Sequence, residues 1–527
     1  MGGKAPRCRK MGIFKPKAYF QGGWGKYNKM NSFKIIGQNI LELSLKFKIF
    51  CMKLIANKRR LYGEHSTSTE IFKNFILPEI KEEIYNYKWV DLFCGEGNLI
   101  LPILELIPEN ERIEFFKEHI FLFDIQKEII EKAILNANKY GIPLEVARKN
   151  IICMDTIKNY PTFILDSNLP IYHITNPPYL YLGYIVKYKE TQNYLEYFQG
   201  ENEGYQDLYQ LALMNDLRNN IKKMIYIIPS NFLFGFSVSN KIRENFLLYY
   251  NIKKAFIFEK KIFEFTGINV GIFFFERKEF PKKDKITFEG IKINKELKKR
   301  VYILDPKNHY RAGNEFEEFV KRYKAHNPLK VSYYLTIEEV EKNKGNKKIT
   351  VLDVNAFNGK EYEKKVISIN DKLYEKIVSN ILFVRTVDTG NYNGRVGLYL
   401  VKEIYGVDGI LVSKSKYRTH PIQIFFTPRL SIEEQILLKD YFNLIIEYLR
   451  EKTDSEFMTT YKYSDSEYTR KYLGLSQVKK LIETFPILSL KGNQIKELKD
   501  LINKNDAEGL VYFIKSFNQL KELLLWR

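Results

Sequence analysis

The sequence predicts an α/β fold in which helices cover both faces of a mostly parallel sheet. Short, continuously apolar runs recur between residues 64 and 278, as expected for strands that are buried on both faces. Amphipathic stretches with helical spacing separate these runs. The 527 residues, 45% hydrophobic and 15% aromatic, supply enough apolar material for two or three packed domains. A mainly disordered chain is therefore excluded.

Six of the apolar runs are predicted to be strands. They span residues 89–93, 120–123, 171–174, 224–228, 255–258 and 270–275. Helices are predicted between them: one from a Ser/Thr-rich start at residue 66 to Ile80, one starting near Asn98, and one over residues 126–139. This alternation of strands and helices is typical of a parallel sheet, because parallel strands need long crossover connections.

Changes in composition predict where this α/β region begins and ends. Residues 1–60 are predicted to be a basic arm, because the first forty residues contain lysine and arginine but no acidic residue. An alternative is that translation starts at Met30 or Met52. Phe280 and Pro281 then interrupt the strand and helix pattern, so the α/β domain is expected to span residues 61–280.

Residues 281–527 are less regular and are predicted to form a second domain of mixed α+β structure. Strand-like runs occur near Val384, Leu398 and Ile424 among glycine and asparagine turns. Helical spacing is found over residues 433–450, 476–484 and 506–525.

The charge and cysteine content predict the compartment and the class of partner. Lysine and arginine total 84 against 63 acidic residues, a net charge of +21, which favours a polyanion such as nucleic acid or an anionic membrane surface. The four cysteines form no Cys-x-x-Cys pair, which favours a reducing cytoplasm. No uncharged apolar run is long enough to span a membrane, so membrane insertion is not expected.

The sequence Asn176-Pro177-Pro178-Tyr179 directly follows one of the predicted buried strands. Two consecutive prolines stiffen the backbone and remove two N–H donors, which leaves carbonyl oxygens on a rigid loop. The Asn176 amide adds another acceptor, and Tyr179 adds a flat aromatic face. Such a loop suits a planar ligand with an exocyclic amine. The alternative is an ordinary turn, since Asn-Pro and Pro-Pro are common turn dipeptides.

Acidic residues and glycines follow the first predicted strands. In the segment 91–97, Asp91 precedes a turn with Gly95 and Gly97, and glycines let the backbone approach a ligand closely. Asp124 ends the next strand, where a carboxylate can accept from ribose hydroxyls, and Asp155 lies in a third loop. Each acid alone is better explained as a helix cap or a solvated loop residue. Their repeated position after strands favours a nucleotide-like ligand.

In this order, the motifs resemble those of the S-adenosylmethionine-dependent N6-adenine DNA methyltransferases of restriction–modification systems. The resemblance covers residues 64–277 and implies a Rossmann-like methyltransferase domain followed by a C-terminal target-recognition domain that binds DNA. Residues 206–209 and 227–233 are similar to later motifs of the family. The cofactor-binding residues that the resemblance implies are Thr67, Asp91, Phe93, Gly95, Gly97, Asp124, Ile125 and Asp155.

The resemblance also implies a mechanism that needs no metal ion. Asn176 and the Pro177 carbonyl would accept both N–H bonds of the target amine. Tyr179 would stack on the extruded base together with Phe263, or with Phe265 in the same segment. Methylation of cytosine C5 is excluded by the lack of a Pro-Cys dipeptide, whereas cytosine N4 stays open. Phe93 and Cys94 depart from the small residues that the family often has in its first motif.

The expected partner is double-stranded DNA, with a separate cognate restriction endonuclease. A segment without acidic residues, 409–432, is the first candidate for DNA contact. Its predicted DNA-binding residues are Lys414, Lys416, Arg418 and Arg429. A solvated basic face is an equal alternative, and Arg470-Lys471 with Lys479-Lys480 form a second candidate. The alternatives for function are an RNA-base or protein-glutamine methyltransferase and a non-catalytic DNA-binding module.

Overall fold

The computed structural model describes residues 67–166, 168–259, 269–293, 297–389, 394–414, 421–460 and 470–525. The predicted basic arm, residues 1–60, lies outside these ranges, so it stays a prediction.

A nine-stranded, mostly parallel sheet forms the centre of the α/β region and confirms the predicted fold class. Its strand order is β3-β2-β1-β4-β5-β7-β6-β8-β9. The first five strands pair in parallel, and β7 runs antiparallel to both of its neighbours. The strands are β1 (Lys88–Asp91), β2 (Ile120–Asp124), β3 (Ile151–Cys153), β4 (Ile171–Thr175), β5 (Lys223–Pro229), β6 (Tyr250–Phe258), β7 (Val270–Arg277), β8 (Ile286–Ile293) and β9 (Leu297–Leu304).

All six strands predicted from apolar runs belong to this sheet. They are buried almost throughout, as in β4, where all five residues are buried. Residues that are apolar on both faces of a strand need helices above and below it, which is why the runs are continuous. The strands β3, β8 and β9 were not predicted.

The helix Lys127–Lys139 shows how the helices pack on this sheet. Its buried residues Ile130, Ala133, Ile134 and Ala137 recur at helical spacing along one face. The predicted helix over residues 126–139 is therefore confirmed. The other α-helices of the α/β region are Thr69–Ile71, Leu77–Ile80, Arg112–His119, Leu144–Asn150, Leu182–Lys187, Leu208–Arg218, Asn231–Phe234 and Ser237–Phe246.

Two segments predicted to be helical differ in detail from a regular α-helix. The segment after Asn98 is helical as predicted, but its helix, Leu101–Leu106, has 3₁₀ geometry. The first helix is interrupted by a π-helical turn, Phe72–Ile76, just ahead of Pro78. Further 3₁₀ helices are Lys81–Glu83, Thr162–Ile164, Lys189–Phe198 and Gly200–Asn202.

The C-terminal part has the predicted mixed α+β composition. Two four-stranded sheets, in the orders β10-β17-β14-β15 and β11-β16-β12-β13, are accompanied by the hairpin β18-β19. The strands are β10 (Lys330–Tyr333), β11 (Leu335–Thr336), β12 (Lys344–Phe357), β13 (Tyr362–Ile369), β14 (Leu382–Arg385), β15 (Gly397–Leu400), β16 (Gly409–Val412), β17 (Ile422–Thr427), β18 (Thr459–Thr460) and β19 (Lys471–Tyr472).

The longest helix of the C-terminal part is Ile432–Thr453, which begins at a capping box formed by Ser431 and Glu434. The central sheet continues past residue 280 through β8 and β9, and the division into domains at that residue stays a prediction. The other helices of this part are Pro306–Asn308, Asn314–Arg322, Ile337–Lys342, Asp371–Val378, Val401–Tyr405, Leu475–Ile482, Ile487–Ser489, Gly492–Asn503 and Ala507–Leu525.

Within the described ranges, no helix has both the length and the apolar character needed to cross a membrane.

Candidate cofactor and catalytic site

A pocket lies where the parallel strands β1, β2, β3 and β4 end. In open α/β sheets, ligands bind at this edge because the strand-to-helix loops converge there. The structure brings most of the predicted cofactor residues together in its wall. The predicted residues that line the pocket are Thr67, Phe93, Gly95, Asp124, Ile125, Asp155 and Asn176.

The cofactor loop, residues 91–97, depends on its two glycines. Gly95 and Gly97 have φ angles of 54° and 85°, which lie in the left-handed region. A Cβ atom on Gly97 would also lie 2.5 Å from Leu101 Cδ1. The Gly95 N–H group donates to Asp124 Oδ2 at 3.1 Å, so the loop after β1 is tied to the end of β2.

Asp91 anchors the start of the cofactor loop from beneath. It is 1% exposed, and its Oδ1 accepts from the Thr175 hydroxyl at 2.5 Å and from the Phe93 N–H group at 3.0 Å. The other carboxylate oxygen, Oδ2, is buried without a hydrogen-bond partner. Burial raises the pKa of Asp91 to about 6. Among the predicted cofactor residues, Asp91 and Gly97 do not line the pocket, so Asp91 supports the cofactor loop without contacting a ligand there.

The two other acidic residues predicted to bind the cofactor, Asp124 and Asp155, accept hydrogen bonds from different kinds of donor. Asp124 Oδ1 accepts from the Gln126 N–H group at 2.9 Å. Asp155 Oδ2 accepts from the Tyr197 hydroxyl at 2.6 Å. Burial and this bond to Asp155 raise the pKa of Tyr197. Both carboxylates therefore face the pocket in fixed orientations.

Tyr194 and Tyr197 line the pocket, and the sequence reasoning missed them. Both lie on the 3₁₀ helix Lys189–Phe198, which follows the Asn-Pro-Pro-Tyr motif. Their three-residue spacing places them on one face of that helix. No motif marks these tyrosines, so only the fold identifies them as pocket residues.

Asn176 lies directly after β4 and is bonded to the leading motif. Its Nδ2 atom donates to Thr67 Oγ1 at 2.8 Å, and Asn98 Nδ2 donates to the Thr67 carbonyl oxygen at 3.0 Å. Thr67, which is 7% exposed, thus connects the Asn-Pro-Pro-Tyr motif with the segment after the cofactor loop. The three motifs predicted to act together meet at this threonine.

Tyr179 does not face the pocket in this structure. The side chain is 4% exposed, and its ring packs edge-on against Tyr209 with centroids 6.4 Å apart. Its hydroxyl is placed to donate to Asn176 Oδ1 or to the Ile227 carbonyl oxygen, which is 2.6 Å away. Burial raises the pKa of this hydroxyl. Pro177 is buried as well, and Pro178 is the proline that lines the pocket.

Of the residues predicted to stack on an extruded base, the structure describes only Tyr179. Phe263 and the alternative Phe265 lie outside the described ranges. The stacking roles of Tyr179 and Phe263 therefore stay predictions.

The predicted DNA contacts are described only in part. Lys414 is exposed, and its backbone N–H group donates to Asn355 Oδ1 at 3.1 Å. Arg429 is exposed and lies 3.6 Å from Glu375 in an ion pair. Lys416 and Arg418 lie outside the described residues.

The second segment predicted to contact DNA includes Lys471, and for this residue the prediction is wrong. This side chain is buried, and its Nζ atom lies 3.6 Å from Glu259 Oε1. Lys480 is partly exposed but pairs with Glu317 at 2.8 Å. The Lys471 side chain therefore pairs with a partly exposed carboxylate instead of facing solvent.

Comparison with known proteins identifies the family. The family model described as N-6 DNA Methylase matches residues 47–362, more than half of the chain. The chain belongs to the N-6 DNA methylase family. Membership confirms the predicted enzyme class, an adenine-specific DNA methyltransferase, and its cofactor, S-adenosylmethionine.

Solved structures similar to this methylase show low identity. The type IIG restriction endonuclease BpuSI is 11% identical, with 86% of this chain and 66% of that chain covered and a TM-score of 0.37. A DrdV–DNA complex is 13% identical, with 48% of this chain and 32% of that chain covered and a TM-score of 0.35. The M protein of the type I restriction enzyme EcoKI is 12% identical, with 61% of this chain and 66% of that chain covered and a TM-score of 0.33.

This methylase spans about a third of the DrdV chain and under two thirds of the other two chains. The assignment rests on the family match alone. No curated protein matches the sequence.

The pocket of this methylase fits an adenosyl ligand. Asp124 and Asp155 offer carboxylate oxygens for hydroxyl and amino groups, while Phe93 and Ile125 offer apolar surface.

Proposed function

We propose that this methylase transfers a methyl group to the N6 amine of an adenine that is rotated out of duplex DNA. The methyl group protects a recognition site in cytoplasmic DNA from a separate cognate restriction endonuclease. The observation that carries the proposal is the position of Asn176, at the end of β4, in the pocket wall and hydrogen-bonded to Thr67.

Each predicted pocket residue has a role towards the cofactor. Asp124 accepts from the ribose hydroxyls, and Asp155 lies beside the adenine. Thr67 holds the methionine end, while Gly95 and Gly97 let the backbone of the cofactor loop approach. Phe93 and Ile125 supply apolar contact. When bound, S-adenosylmethionine supplies an electrophilic methyl group on a sulfonium.

Asn176 and Pro177 activate the target amine. The N6 lone pair of adenine is delocalised into the ring, so nitrogen becomes a nucleophile only as positive charge develops on it. Asn176 Oδ1 and the Pro177 carbonyl oxygen accept both N–H bonds and stabilise that charge. An oriented group of this kind is worth about 2.7–4 kcal/mol.

Entry of the adenine replaces a bond that Asn176 makes in this structure. Asn176 Oδ1 accepts from the Tyr179 hydroxyl, which has a second acceptor in the Ile227 carbonyl oxygen. The hydroxyl can thus turn from Asn176 to Ile227 and keep a hydrogen bond. Oδ1 is then available to the amine without leaving a buried donor unpaired.

Tyr179 and Phe263 hold the extruded base by stacking. For Tyr179 this requires a second step, in which the ring, 4% exposed here, turns towards the pocket and its hydroxyl also leaves the Ile227 carbonyl oxygen. Stacking of a base on an aromatic side chain is worth about 1–3 kcal/mol, which offsets part of the cost of unpairing. Lys414, Lys416, Arg418 and Arg429 contact the DNA in the C-terminal part.

The product of the reaction tests this proposal. Purified protein is incubated with labelled S-adenosylmethionine and unmodified genomic DNA, and the nucleosides are then separated by mass spectrometry. We expect N6-methyladenine from the wild type and from Asn346→Ala, a control at an exposed asparagine. We expect about 100–1,000-fold less in the same time from Asn176→Ala. N4-methylcytosine as the product, or no transfer to any DNA, would overturn the proposal.

A further inference from the structure

Leu92, the second residue of the cofactor loop, is held by side chains at both of its peptide groups. It is 2% exposed, and it follows the last residue of β1. Its N–H group donates to His173 Nε2 at 3.3 Å, and its carbonyl oxygen accepts from the Thr156 hydroxyl at 2.8 Å. A buried N–H group beyond the end of a strand needs such a partner.

The contacts of His173 fix which of its nitrogens carries the proton. Its Nδ1 atom lies 2.5 Å from Asp216 Oδ2, and a carboxylate only accepts hydrogen bonds. The Nδ1 atom therefore carries the proton, and Nε2 is left as an acceptor for the Leu92 N–H group. His173 and Asp216 are 1% and 0% exposed, so water does not compete for either bond.

Asp216 is itself oriented by two tyrosines. The Tyr226 hydroxyl donates to Oδ2 at 2.6 Å, and the Tyr160 hydroxyl donates to Oδ1 at 3.1 Å. Burial, together with Asp216, raises the pKa of both hydroxyls. Each carboxylate oxygen thus has a donor, which holds the carboxylate in place for His173.

The neighbouring residue on the same helix supports the other wall of the pocket. Asn215 Nδ2 donates to the carbonyl oxygens of Thr156 and Ile157 at 3.3 and 2.9 Å. Thr156 and Ile157 line the pocket, and Thr156 is also the residue that holds the Leu92 carbonyl. Two adjacent residues of the helix Leu208–Arg218 therefore support two walls of the cofactor pocket from behind.

We infer that His173, oriented by Asp216, is a positioning residue that holds the cofactor loop in its binding conformation. The inference rests on the proposed use of that loop for S-adenosylmethionine. Among the described residues, neither His173 nor Asp216 lines the pocket, so their effect on the cofactor passes through Leu92.

Two substitutions of His173 by amide residues test whether Leu92 needs the hydrogen-bond acceptor at Nε2. In His173→Gln, the side-chain oxygen can occupy the place of Nε2 and still accept from Leu92. In His173→Asn, the side chain reaches only the place of Nδ1, so Leu92 loses its partner. Binding of S-adenosylmethionine and of S-adenosylhomocysteine is measured by calorimetry without DNA.

We expect His173→Asn to weaken binding of both ligands about tenfold or more, because a buried N–H group is left unpaired. We expect His173→Gln to stay within about threefold of the wild type. Hydrogen exchange of the peptide that contains residues 91–97, measured without ligand, should accelerate in His173→Asn only.

His119 provides a matched control in the same domain. It is also buried, at 7% exposed, but its Nδ1 atom bonds the Tyr87 carbonyl at 2.8 Å and its ring stacks on Phe115. Its Asn and Gln variants should bind the ligands alike, whatever they cost in thermal stability. Equal losses of ligand affinity in the two His173 variants, or wild-type affinity in His173→Asn, would overturn the inference.

A second pair of variants tests the same loop if His173→Asn does not fold. Thr156→Ser keeps the hydroxyl that donates to Leu92, and Thr156→Val removes it. We expect weaker ligand binding in the valine variant alone, and equal binding in both would contradict the inference. Because these measurements use no DNA, they separate failure of this inference from failure of the proposed DNA methylation.

Discussion

Asn176 Nδ2 donates to Thr67 Oγ1 at 2.8 Å, which joins two motifs that are 109 residues apart in the chain. The bond orients the Asn176 side chain, because one amide nitrogen is committed to Thr67 and the amide oxygen is thereby directed elsewhere. We therefore expect Thr67 to act in catalysis in addition to its proposed contact with the cofactor.

Replacing Thr67 with valine should therefore slow methyl transfer. The valine has nearly the same shape but offers no acceptor, so the Asn176 amide loses its anchor. We expect kcat to fall about tenfold, which corresponds to about 1.4 kcal/mol. Thr67→Ser keeps the hydroxyl and should stay close to the wild type. Equal kcat values for the serine and valine variants would show that the bond does not orient Asn176.

The stability of the protein without cofactor should depend on the protonation of Asp91. Burial raises its pKa from 3.8 to about 6, so the folded state binds a proton more readily than the unfolded state. The resulting stabilisation is fully present below the unfolded pKa and is lost as the pH rises through about 6. Asp91→Asn carries no titrating group and serves as the reference.

Measured by denaturant unfolding, the wild type should gain about 1.4 kcal/mol relative to Asp91→Asn between about pH 7.5 and about pH 5. A difference that does not change with pH would mean that Asp91 is not titrating in this range. A difference that changes in the opposite direction would mean that its carboxylate is stabilised by the fold.

Tyr179→Phe should distinguish the contribution of the Tyr179 hydroxyl from that of its aromatic ring. Loss of the buried hydroxyl should cost about 1 kcal/mol in the free energy of unfolding. Because the phenylalanine can still stack, the KM for DNA should be unchanged. Tyr179→Ala should raise the KM for DNA and abolish the fluorescence increase of 2-aminopurine at the target position. A fluorescence increase of wild-type size in the alanine variant would exclude stacking on Tyr179.

Lys414 and Arg429 should contribute to DNA binding mainly through phosphate contacts. Replacing both with alanine should reduce the slope of log affinity against log salt concentration by about 1.8 in magnitude, or about 0.9 for each lost contact. Lys117→Ala, on the helix Arg112–His119, is the control because this lysine is paired with Glu114. An unchanged slope in the double variant would place the DNA elsewhere.

The strands of the central sheet could be predicted because parallel strands are buried on both faces and are therefore apolar throughout. The strand β8 alternates between buried and exposed residues, and β9 is mostly exposed, so neither gives a continuous apolar run. They also follow Pro281, which was interpreted as the end of the domain.

The candidate site could be predicted where chemistry depends on a local motif, as at Asn176 and the glycines of the cofactor loop. The orientation of side chains could not be predicted in this way. Tyr179 is buried because of contacts with Tyr209 and Ile227, and Lys471 is buried against Glu259, which lies 212 positions away in the printed sequence. The role of His173 depends likewise on Leu92 and Asp216, which no sequence spacing brings together.

The rate of a single turnover in Asn176→Ala tests the central claim most directly. With saturating S-adenosylmethionine and DNA, we predict that the rate constant of methyl transfer falls by a factor of about 100–1,000, while the affinities for both ligands stay within about threefold. A rate constant within about tenfold of the wild type would contradict the claim that Asn176 activates the target amine.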